Sequence, residues 1–133
     1  MNAPYRSNAS AYQSVSAQGG TEAASPHKLV LMLMDGALER VHAARGHIAH
    51  GATAEKSELL HRATRIIETL RDCLDTSAGG EIAENLGKLY DYMCVQLVKA
   101  NSTNRVELLD EVAKLLQSVR GAWLEIAPPK APA

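Results

Sequence analysis

The chain has 133 residues and a formal net charge of −1; 46% of its residues are hydrophobic, only 4% are aromatic, and Phe is absent. A chain of this length suits one domain that buries its core without metals or disulfides, and that core has to be built from Leu, Val, Ile, Met and Ala, which favour helix-on-helix packing. The near-neutral charge argues against a nucleic-acid partner, which needs a basic stripe. The absence of any apolar run approaching roughly 20 residues argues against membrane insertion.

Residues 1–24 are rich in Ser, Ala, Asn, Gln and Gly, the composition of a flexible N-terminal segment. They hold no apolar stretch of signal-peptide type, so the expected location is the cytosol. Tyr5, Ala9, Tyr12 and Val15 nevertheless fall at helical spacing. Two readings stand: coincidence in a flexible tail, or a short helical cap that docks through its two tyrosines.

Ser25-Pro26 is a helix start, with Ser able to cap orphan N–H groups and Pro suited to the first helical position. Val30, Met34, Ala37, Val41, Ala44 and Ile48 then form one stripe, predicting a helix from Pro26 to about His50, ended by Gly51. A second helix is predicted from near Thr53 to about Leu74, with the stripe Leu60, Ala63, Ile67, Leu70 and Leu74. The run 75–80, ending in Gly79-Gly80, reads as a break. The third helix, about Glu81 to Ala100, carries Ile82, Leu86, Tyr90, Met93, Leu97 and Ala100 on one face. Asn104 and Glu107 have the spacing of a capping box for a fourth helix. That helix runs from about Arg105 to Ile126 and presents Leu109, Val112, Leu116, Val119, Trp123 and Ile126. Trp123 is expected in the core. Pro128-Pro129 close the helix and leave 128–133 as a disordered tail.

Four helices joined by short loops must lie antiparallel to their neighbours. The expected fold is therefore all-α, an antiparallel up-down-up-down four-helix bundle over residues 25–127.

Such a bundle raises the question of a di-iron site built from Glu-x-x-His motifs that face inward. Glu39…His42 and Glu58…His61 have that spacing, but at about 100° per residue all four point away from their own apolar stripes. No metal or other cofactor is expected, and no nucleophile stands beside a base. Cys73 and Cys94 fall inside helices among apolar neighbours and read as reduced, partly buried thiols. Nothing in the chain speaks for an enzyme.

The unusual feature is a surplus of apolar residues. The run 29–34 is hydrophobic all round, with Leu31 and Leu38 about 80° from the core stripe. Tyr92, Val95 and Val98 lie about 120–180° from the core face of the third helix. Either this surplus is extra core beneath the N-terminal segment or it is a groove for another helix. The two readings are compatible if the segment covers the groove until a partner displaces it.

The run 24–37 (Ala24-Ser25-Pro26-His27-Lys28-Leu29-Val30-Leu31-Met32-Leu33-Met34-Asp35-Gly36-Ala37), preceded by Tyr5 and Tyr12, resembles the start of the flagellin-specific export chaperone (FliS) family. The likeness continues through 63–70, 79–86, Leu89-Tyr90-Asp91-Tyr92-Met93, Ala100-Asn101 and Ala122-Trp123, in order along nearly the whole chain. Departures are the Ala/Gly-rich second loop, Gly87 in place of a bulkier residue, and Cys94-Val95-Gln96 where basic residues are common. The resemblance implies an antiparallel four-helix bundle with a short N-terminal cap. It also implies binding of the C-terminal segment of flagellin in the cytosol, prevention of premature polymerisation, and delivery to an export-gate component of the flagellar type III apparatus.

Taken with the apolar surplus, the candidate partner contacts are Leu31, Met32, Asp35 and Leu38 on the first helix and Tyr92, Val95 and Val98 on the third. Tyr5 and Tyr12 cover them in the free state. A weak homodimer that yields to flagellin fits the same surface.

Overall fold

The computed structural model describes residues 25–126. Four helices make up that span: α1 (Pro26–Ala49), α2 (Thr53–Asp72), α3 (Thr76–Thr103) and α4 (Val106–Glu125). Each helix packs against the next and α4 returns to α1, with no close backbone approach between diagonal pairs. This is the antiparallel square that short connections impose.

Local chemistry explains most of the boundaries. Ser25 Oγ accepts from the Lys28 backbone N–H at 3.2 Å, and Pro26 sits where its missing N–H is not needed. The helix stops where Gly51 adopts φ 71°. Four of the five α2 stripe residues and all but the last of the α1 stripe are buried; Leu74 and Ile48 lie half-buried at the ends. A Cβ at Gly36 would meet Ile66 of α2 at an ordinary 3.6 Å and press only on the mobile end of Arg40 of its own helix, so nothing in the α1–α2 packing requires glycine there.

Four expectations need correction. Residues 75–80 are not a simple break. Asp75 caps a helical turn by accepting from the N–H groups of Ser77 and Ala78 at 3.2 and 3.1 Å, so α3 starts at Thr76. The chain then kinks at Gly80 (φ 56°, ψ −131°) before the long helix resumes.

The expected capping box is absent. Asn104 is the left-handed C-cap of α3, and its side chain faces α2. α4 begins after Arg105 with no side-chain cap.

The stripes of α3 and α4 fail at one end. Ile82 is 80% exposed, and Ile126, one residue past the end of α4, is 53% exposed. Trp123 is half-buried at the same end rather than fully in the core.

Polar locks tie the bundle together. At the tail end, Trp123 Nε1 donates to the His27 carbonyl at 2.9 Å and the two rings stack at 4.9 Å. His27 Nε2 lies 2.8 Å from the Trp123 carbonyl, which can only accept, so that nitrogen carries the hydrogen. At the opposite end Lys56, only 3% exposed, donates to the Asn101 carbonyl at 2.8 Å and to Asn104 Oδ1 at 2.7 Å. A buried ammonium is tolerated because these acceptors replace water, and a helix C-terminus favours positive charge.

Candidate functional site

The candidate site starts from α3, whose buried side carries Tyr90, Met93, Leu97 and Ala100. With 100° between successive residues, Val95 points directly away from that side, while Val98 and Tyr92 flank it towards α2 and α4. All three are exposed, by 55%, 62% and 42% respectively. The expected apolar surplus on this helix is therefore on the surface of residues 25–126.

Tyr92 is fixed rather than free. Its hydroxyl donates to Glu111 Oε2 on α4 at 2.7 Å, and Gln96 Nε2 donates to Glu111 Oε1 at 2.9 Å. The carboxylate holds the Tyr92 hydroxyl above its ordinary pKa, chiefly through that hydrogen bond. Reciprocally, Tyr92 and then Gln96 hold Glu111 below the usual carboxylate range. The phenol ring is thus presented to solvent in a set orientation across the α3–α4 seam.

The α1 candidates divide. Leu31 and Met32 are half-buried. Asp35 receives two hydrogen bonds from Arg120 on α4, at 2.6 and 3.4 Å. Leu38 is 9% exposed and belongs to the core cluster, so in the described chain it offers no surface. Because α1 and α3 are diagonal, the two groups of candidates do not form one patch. The α1 group lies along the α1–α4 seam and the α3 group faces outward beyond the α3–α4 seam, with α4 between them. Tyr5 and Tyr12 lie outside the described residues.

Sequence reasoning missed a further apolar area. Ile82, Leu124 (51% exposed) and Ile126 are all open to solvent. The Tyr92–Glu111 register brings Ile82 level with the last turn of α4, so the three share the end of the bundle where α1 starts.

The polar candidates lie on the surface. Glu39, His42, Glu58 and His61 are all exposed, as their angular positions predicted. Among the described residues, no group of three or more His, Cys, Asp or Glu could hold a metal ion. Cys94 is half-buried, and burial, followed by Glu68 and Asp91, pushes its thiol up to about 11, which leaves little thiolate at neutral pH. A cleft of ≈ 330 Å³ between α1 and α2 is lined by Arg40, His47, Glu55, Glu58, Leu59 and Arg62. Its mixed charges do not suit an apolar helix, and it lies away from the exposed α3 face. No helix among the described residues is long and apolar enough to cross a membrane.

Comparison with known proteins places this arrangement. The family described as Flagellar protein FliS matches residues 8–130. The chain is 46% identical over 112 residues to the flagellar secretion chaperone FliSB of Pseudomonas aeruginosa, covering 84% of this chain and 89% of the relative. It is 42% identical over 123 residues to the flagellar secretion chaperone FliS of Vibrio cholerae, covering 92% and 90%. Its identity to the FliS of Salmonella typhimurium is also 42%, over 119 residues and 89% and 88% of the two chains. The chain belongs to the FliS family, a family of flagellar secretion chaperones and not of enzymes.

Proposed function

We propose that this flagellar export chaperone binds the C-terminal segment of flagellin in the cytosol, keeps it from polymerising prematurely, and delivers it to an export-gate component of the type III apparatus. The observation that carries the reading is the row of outward apolar side chains Tyr92, Val95 and Val98 beside a core that residues 25–126 build from all four helices. Leu31 and Met32, half-buried beside the Asp35–Arg120 pair, supply a second contact line along α1. A long flexible ligand that crosses α4 can reach both. Burial of apolar surface supplies the drive, at about 25 cal/mol per Å². The cost of ordering a disordered ligand reduces net affinity and keeps release feasible.

Residues 1–24 fit this reading as a docking segment whose Tyr5 and Tyr12 cover the apolar surface until flagellin arrives. A weak homodimer is compatible if the same surface self-associates. The direct test is a pull-down with flagellin retaining or lacking its last roughly 40 residues, a length that spans several helices. Capture should be lost with the truncation, and equal capture of both forms refutes the reading. Deleting residues 1–20 should raise affinity for a flagellin C-terminal peptide in calorimetry, and weaker or unchanged binding defeats the covering role.

A further inference from the structure

The turn between α3 and α4 consists of Asn104 and Arg105 alone. Asn104 is the one non-glycine residue with positive φ among those described (φ 56°, ψ 27°), and Arg105 is extended (φ −84°, ψ 102°). L-residues disfavour the left-handed region, although Asn tolerates it better than most. No Gly or Pro occurs between Gly87 and Gly121, so nothing in the composition forbids an unbroken helix across this turn. Rotation of Asn104 and Arg105 into the right-handed region would join α3 and α4 end to end.

What keeps the turn closed is mostly outside it. Asn104 N–H donates to the Ala100 carbonyl at 2.8 Å, and Lys56 Nζ holds Asn104 Oδ1 at 2.7 Å. α4 itself is the last helix of the described chain. Its polar links to α1 are His27–Trp123, Asp35–Arg120 and Arg45–Asp110, and its link to α3 is the Tyr92–Gln96–Glu111 cluster. Every one of these contacts joins α4 to another helix without involving the turn. A second chain can supply the same α4 to the same seat with the contacts unchanged, and only the turn is rebuilt.

We propose that a second copy of this chain exchanges α4 through Asn104-Arg105, giving a domain-swapped dimer in which α3 and α4 form one continuous helix. The buried Lys56–Asn104 contact is the brake that favours the closed monomer. The exchange leaves Tyr92, Val95 and Val98 outward in both forms, and it does not depend on what binds them.

The test uses the full chain refolded at low and high protein concentration and analysed by size exclusion with light scattering. Asn104→Ala removes both the tolerance for the left-handed turn and the acceptor for Lys56. It should raise the dimerisation constant by about tenfold or more, since two turns per dimer are relieved. Asn104→Gly loses the same acceptor but favours the turn, and it should stay more monomeric than Asn104→Ala. The isolated dimer should persist on dilution for hours and convert to monomer only when passed through denaturant, because α4 must leave its seat to return. Equal monomer fractions in the Ala and Gly variants overturn the proposal, as does a dimer that dissociates promptly on dilution. If circular dichroism shows Asn104→Ala to be unfolded, Lys56→Gln reads the same brake: more dimer than wild type is expected, and no increase overturns it.

Discussion

Trp123→Ala probes the lock that fastens the last turn of α4 to the first turn of α1. The substitution removes a hydrogen bond of 2.9 Å from Nε1 to the His27 carbonyl and a ring stack at 4.9 Å, and it uncovers His27, only 9% exposed. Half-burial of an indole covers about 125 Å² of apolar surface, worth about 3 kcal/mol. The hydrogen bond and the stack add about 1 kcal/mol each. Fraying of the final helical turn lets water and neighbouring side chains recover part of this, so the expected loss is about 3–4 kcal/mol. For a domain of this size that lowers Tm by about 10 °C. Trp123→Phe keeps most of the ring and loses only the donor, so it should cost about 1–2 kcal/mol. Urea unfolding of the three proteins, followed by helical circular dichroism, measures both differences. If Trp123→Ala melts within about 2 °C of wild type, the lock contributes nothing. If the Phe variant falls as far as the Ala variant, the accounting of ring against donor is wrong.

Two further predictions concern the α3 face. Val95→Glu and Val98→Glu change residues that are 55% and 62% exposed, so each should leave stability within about 0.5 kcal/mol of wild type. Each should weaken binding of a flagellin C-terminal peptide by about tenfold or more in calorimetry, because a charge replaces apolar contact; unchanged affinity removes this face from the binding surface. Glu111 should make stability pH-dependent. Its native carboxyl lies below the ordinary value of 4.5, so as pH falls the unfolded chain takes up the proton first. The stabilisation is complete above the unfolded value and is lost as pH drops through the native one. The Tm gap between wild type and Glu111→Gln should therefore narrow as pH falls from neutral to below the ordinary carboxylate range. A gap that stays constant contradicts the Tyr92–Glu111–Gln96 geometry.

The four helices and most of their buried residues were legible in the sequence. Steps of three and four place Met34, Ile67, Met93 and Leu116 on inward faces whatever the neighbours are, because the helical repeat alone sets direction about each axis. Ser25-Pro26 and Gly51 likewise act through their own backbone geometry. The outward position of Tyr92, Val95 and Val98 follows from the same periodicity, and so does the exposure of the Glu-x-x-His pairs.

Tertiary structure decided the rest, because periodicity carries no information about which helix lies next to which face. Only the packed square shows that Leu38 is buried and that the α1 and α3 candidates sit on diagonal helices. The exposure of Ile82 and Ile126, which share the spacing of their buried stripes, is likewise visible only in the packed bundle. Lys56 reads as a surface residue until Asn101 and Asn104, far along the chain, arrive as its acceptors. Local spacing determined the helices and the direction of each side chain about its own axis; contacts between distant residues determined which of those side chains the bundle covers.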